Sequence, residues 1–136
     1  MSEQDVQGLV DAGWELDAHS ITHPDLTTLD DATLQQEVAG VRDELKRKFK
    51  VPVNFFCYPA GRYDERIVQA VKDAGYVGAT TTQEGNAGRD QLLTMNRVRI
   101  NRSDGLEGFS EKLASLQGEP PAPAPPSFTG GAGTGE

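Results

Sequence analysis

The chain holds 136 residues, with 13 Lys and Arg against 21 Asp and Glu, for a formal net charge of -8. That length suits one domain rather than two. Phosphate contacts need clustered Lys and Arg, so the acidic balance and the lack of a basic, aromatic-interleaved face exclude a nucleic-acid partner. No apolar stretch approaches the roughly 20 residues that a membrane span requires. The opening MSEQDVQGLV reads as an acidic helix start rather than a secretory signal.

Ser2 with Asp5 three residues on has the form of a capping box, and Val6, Leu9 and Val10 form one apolar face before Gly13. A short strand is expected from Trp14 to Ala18. Asp30 caps a longer helix whose apolar positions Leu34, Val38, Val41, Leu45 and Phe49 recur every three or four residues. The basic run Lys46-Arg47-Lys48 with Lys50 closes that helix, where cations offset the negative end of the helix dipole. Val53 to Tyr58 reads as a buried strand, and a third helix runs from about Asp64 to Ala74 on Ile67, Val68 and Val71, with Gly75 past its end. Tyr76 to Thr82 and Arg97 to Ile100 are further strand segments. Ser103 or Asp104 caps a last helix carrying Leu106, Phe109, Leu113 and Leu116.

Alternation of this kind implies parallel strands with helical crossovers, hence an α/β fold. Four short strands make a small parallel sheet, which reads as part of a larger barrel. Five of the eight prolines fall in residues 119–136, so a foldable unit of 1–118 and a disordered Pro/Gly tail are expected.

Both histidines lie in His19-Ser20-Ile21-Thr22-His23-Pro24, directly after a predicted strand. Pro24 disfavours helical geometry at His23, so the pair belongs to a strand-end loop, where two imidazoles can converge on one metal ion. The alternative is two surface histidines with no common task. Asp17 falls on the same side of the strand as His19, but roughly 6–7 Å of separation makes shared coordination awkward without a bend. Asp25 reads as a turn cap. The lone Cys57 cannot form an internal disulfide.

The segment Asp11 to Leu26, carrying the His-Ser-x-x-His-Pro run, closely resembles the second motif of the NodB-type polysaccharide deacetylases, carbohydrate esterase family 4. Phe56-Cys57-Tyr58-Pro59-Ala60-Gly61-Arg62-Tyr63-Asp64 looks like the third motif in its Tyr-Pro-x-Gly form, and Asp73-Ala74-Gly75-Tyr76 is similar to the helix-to-strand junction after it. The resemblance covers about residues 4 to 115. It implies a partial, truncated form of a distorted parallel β/α barrel and a metal-dependent hydrolase that removes N-acetyl groups from amino-sugar polymers or peptidoglycan. In that family two histidines and an aspartate hold a divalent metal, often zinc, a second aspartate is the general base, and a backbone N–H helps stabilise the oxyanion. Carried onto this chain, His19 and His23 are metal ligands, Ala60 is the oxyanion donor, and Tyr58 and Pro59 shape the substrate groove. The implied location is extracellular or at the cell envelope.

Departures from the pattern set further expectations. The family's first motif, a Thr-Phe-Asp-Asp strand end supplying the base and third ligand, has no counterpart before His19. Thr28-Leu29-Asp30-Asp31 imitates it, but opens the amphipathic helix and reads as a cap. Cys57 stands where many members carry an arginine, and reads as a small buried hydrophobe. No third histidine is present to act as late general acid. A chain of this kind is expected to bind zinc more weakly than a three-ligand site, to self-associate through exposed sheet edge, or to need an upstream segment. Two other readings remain at this point: a catalytically inactive glycan-binding module that keeps the fold, and a plain interaction domain.

Overall fold

A computed structural model describes residues 1–116; the expected tail at 119–136 lies outside the described residues. Helix α1 (Glu3–Asp11) begins as its capping box dictates, with Ser2 and Asp5 bonding each other's backbone N–H. A single helical run then spans residues 31–49. It comprises α2 (Asp31–Gln35), a π-helical turn (Gln36–Gly40) and α3 (Val41–Phe49). Asp30 caps its start through the Thr33 N–H, and Lys50 ends it in a left-handed conformation after the basic turn. Strand β1 (Phe55–Cys57) follows, then helix α4 (Glu65–Asp73), capped by Asp64, and strand β2 (Gly78–Thr80).

β1 and β2 pair in parallel with Phe56 opposite Ala79, and α4 is the crossover between them. Ala18 bridges to Phe56 on one side of this pair and Met95 to Thr80 on the other, both parallel. The sheet therefore runs Ala18, β1, β2, Met95 in chain order. Its core side holds Phe56, Tyr58 and Tyr76 against Leu26, Val38, Ile67 and Val71. Phe56 meets both tyrosine rings, at centroid distances of 5.6 and 5.4 Å. Arg42 lies over the Tyr76 ring and donates to the carbonyls of Val53 and Ala74, joining α3, the approach to β1 and the end of α4.

Three expectations need correction. Trp14 to Ala18 forms only the single bridge at Ala18, because the Asp17 carboxylate takes the Phe55 N–H that a longer ladder would give to a backbone carbonyl. Arg97 to Ile100 forms no strand. Met95 makes the sheet contact, through Ala79 and Thr81, and the Arg97 N–H then turns away to Gln83. Helix α5 (Gly105–Ser115) forms, but Asp104 turns its side chain back to the Asn101 N–H and Lys112 instead of capping it. The apolar stripe of α5 is largely exposed: Leu106 is 81% exposed, and Phe109 and Leu113 are exposed too. None of the described residues covers it. No helix among the described residues is long and apolar enough to cross a membrane.

Candidate functional site

His19 follows the Ala18 bridge, Cys57 ends β1, and Thr81 and Thr82 follow β2, so these residues gather at the carboxyl ends of the parallel strands. That is the end at which open α/β sheets and barrels place their sites. The His19 Nδ1 lies 2.7 Å from the Cys57 carbonyl oxygen. A carbonyl only accepts, so Nδ1 carries a proton, and in the neutral ring the lone pair is on Nε2, the arrangement of a metal-binding imidazole. The His23 ring stands edge-on to the His19 ring at a centroid distance of 4.9 Å. Both side chains belong to exposed residues, open to an ion from solvent.

The loop between the two imidazoles is closed by its own backbone and by its neighbours. Ser20 and His23 adopt left-handed conformations with φ of 62° and 57°, and the His23 N–H donates to the Ser20 hydroxyl. Such values are uncommon outside glycine, and cluster where surrounding structure enforces them. Of the four non-glycine residues with positive φ among the described residues, three are Ser20, His23 and Ala60; the fourth, Lys50, is a helix end. Glu37, on the π turn, accepts from the N–H groups of Ile21 and Thr22 at 2.7 and 3.0 Å and from the Thr22 hydroxyl at 2.7 Å. Burial alone would raise the Glu37 carboxyl, but these three bonds outweigh it and hold the group below its ordinary range. On the far side, Asp25 caps the turn Leu26–Thr28 through the Thr27 N–H and forms an ion pair with Arg62. The Thr27 hydroxyl and the Arg62 guanidinium hold the Asp25 carboxyl below its ordinary range.

The turn after β1 is a 3-10 turn, Pro59–Gly61, in which Ala60 is exposed with φ 53°. The Ala60 N–H has no acceptor among the described residues. Tyr58 and Pro59 are fully buried beneath it; the Tyr58 hydroxyl donates to the Leu93 carbonyl, and burial pushes its ionisation far up, so it stays a neutral donor. Gly61 has φ 69°, and a Cβ there would lie 2.1 Å from the Thr82 hydroxyl oxygen. Gly61→Ala combines left-handed strain with a clash that β2's exit cannot relieve. It is expected to lower stability by about 2–4 kcal/mol in chemical denaturation.

Asp17 is not part of the imidazole cluster. Its carboxylate accepts from the Phe55 N–H at the beginning of β1, whereas His19 meets Cys57 at the end. Asp30 and Asp31 do what a helix start requires: Asp30 caps, and Asp31 pairs with Arg66. Cys57 is half-buried, with its sulfur 3.8 Å from an Arg97 guanidinium nitrogen. Glu37 and Arg97 carry no recognisable motif. The one available signal for Glu37 was a carboxylate set in the apolar stripe between Leu34 and Val38.

The donor set fits a divalent metal in part. Two imidazoles suit two positions of a tetrahedral zinc site, whose hydrolytic form takes three protein ligands. Among the described residues no group of three or more His, Cys, Asp or Glu side chains is placed to hold an ion.

Residues 1–79 match the family model described as polysaccharide deacetylase. The Bacillus subtilis (strain 168) protein YxkH, named as a polysaccharide deacetylase, is 30% identical over 118 residues, 86% of this chain and 42% of that protein. A solved polysaccharide deacetylase from Bacillus cereus is 30% identical with a TM-score of 0.74, over 83% of this chain and 36% of the other. The Streptococcus pyogenes deacetylase PplD, solved in complex with acetate, has the same fold at a TM-score of 0.77 and 24% identity, over 82% of this chain and 50% of that one. The chain thus spans half or less of the length of these relatives. Its α/β fold, with a short parallel sheet, is a portion of the deacetylase barrel, and the chain belongs to the polysaccharide deacetylase family.

Proposed function

We propose that this chain carries the histidine-bearing part of a metal-dependent deacetylase that removes N-acetyl groups from amino-sugar polymers or peptidoglycan. The observation that carries the reading is the His19–His23 pair, in a T-shaped contact at a centroid distance of 4.9 Å with Nδ1 of His19 tied to a strand-end carbonyl. His19 and His23 would hold a divalent ion, zinc first among them because imidazole suits it. When bound, that ion supplies Lewis acidity toward an amide carbonyl and toward water. The chain's own residues orient and support. Cys57 O fixes the His19 tautomer, and the exposed Ala60 N–H is the oxyanion donor. Buried Tyr58 and Pro59 hold that turn from below and so shape the groove. Among the described residues no carboxylate stands with the pair to complete the ligand set. The net charge of -8 favours a neutral glycan over a polyanion, and the family's extracellular or envelope setting is where such glycans occur.

The test is acetate release from N-acetylated chitin oligomers and peptidoglycan by the protein with added zinc chloride. Slow release is expected, abolished by a chelator and by His19→Ala. Release from none of these substrates above the His19→Ala level overturns the reading.

A further inference from the structure

We propose that Glu37 is the positioning residue for the His19–His23 pair, an assignment that rests on reading the pair as a metal site. Glu37 is 6% exposed and has no cationic partner among the described residues. A buried carboxylate is costly unless its oxygens are bonded. Here both oxygens are used, and every bond goes to Ile21 or Thr22, two of the three residues between His19 and His23.

The helix is adapted to deliver it. Residues 36–40 form a π turn inside an otherwise α-helical run, and such turns are frequent at functional sites. With it, Glu37, Val38 and Val41 all face inward, so the carboxylate reaches the loop while the apolar contacts persist. The loop needs this anchor. With Ser20 and His23 both left-handed, local preference does not hold the chain between them. The Ile21 and Thr22 N–H groups pin that stretch to a rigid helix, and the separation of the two rings follows. Glu37 therefore acts through the loop and does not ligate the ion. Groups that orient metal ligands this way are typically worth about 10–100-fold in metal affinity.

The chain contains only two histidines, so a zinc chloride titration can be read from the imidazole resonances of His19 and His23 without overlap. Glu37→Ala is expected to weaken zinc binding by about 10–100-fold. Amide hydrogen exchange at Ile21 and Thr22 should accelerate in the same variant while Ile67 and Val71 remain protected. Glu37→Gln should recover most of the affinity, because its amide oxygen still accepts from both N–H groups and its NH₂ can donate to the Thr22 hydroxyl. Should Glu37→Ala not fold, Thr22→Val, which deletes only one of the three bonds, is expected to weaken zinc binding several-fold. Unchanged zinc affinity in folded Glu37→Ala, or in Thr22→Val where it serves instead, overturns the positioning role while the wild type still binds better than His19→Ala. A wild type that binds zinc no better than His19→Ala overturns the metal reading, and the positioning role with it.

Discussion

His19→Ala is expected to weaken zinc binding by at least about 100-fold, and to do so at almost no cost in stability. Removing one of two imidazoles leaves a single ligand, far short of the three that hold zinc in hydrolytic sites. The side chain is exposed, and its one bond is to the Cys57 carbonyl, which water can replace. Surface substitutions of this kind usually change stability by less than about 0.5 kcal/mol. His23→Ala should be as damaging to zinc binding. Asp17→Asn is the informative control. Its oxygen can still accept the Phe55 N–H, and its place at the start of β1 keeps it away from the imidazoles, so zinc affinity should not change. Isothermal titration with zinc, paired with thermal unfolding of the metal-free protein, checks all three. If His19→Ala binds as the wild type does, or if Asp17→Asn loses as much as His19→Ala, the ligand assignment is wrong.

The parts of this fold that were legible beforehand are those governed by local chemistry. Ser2 and Asp30 each cap the helix start at which they stand, because a side-chain oxygen two or three residues before an orphan N–H needs no tertiary help. The histidine run was readable because Pro24 disfavours helical geometry at His23 and so implies a strand-end loop, whereas the Tyr-Pro-x-Gly turn was read through its resemblance to the family's third motif. What failed depended on partners distant in sequence. The Arg97–Ile100 segment has β-branched residues and alternation, yet Met95 reaches the sheet edge first and takes the pairing. Periodicity marked an apolar face on α5 correctly, but periodicity cannot say whether anything lies against that face. Glu37 was invisible for a related reason. A lone carboxylate in an apolar stripe looks like a tolerated exception until the loop 16 residues upstream folds onto it.

Phe56→Ala should cost about 3–5 kcal/mol, the largest stability loss expected of any single substitution discussed here. With strands of three residues and a two-strand ladder, backbone pairing contributes little to the sheet. Side-chain packing must carry it. Phe56 is 1% exposed at the centre of β1, opposite Ala79 on one flank and bridged to Ala18 on the other. Its ring is the shared neighbour of Tyr58 and Tyr76, whose hydroxyls reach Leu93 O and Val38 O. Removing the ring opens a cavity between two tyrosines that are held by those bonds and cannot collapse into it. Small domains have total stabilities of about 5–15 kcal/mol, so a loss of this size takes a large share. Leu106→Ala gives the opposite limit: an apolar residue of similar sequence prominence, on a face the described residues leave open, should change stability by less than about 0.5 kcal/mol. Urea denaturation followed by near-ultraviolet circular dichroism, which reports the tyrosine cluster, distinguishes the two. A Leu106→Ala loss comparable to that of Phe56→Ala would show that α5 is packed in solution and that the aromatic cluster is not the principal source of cohesion.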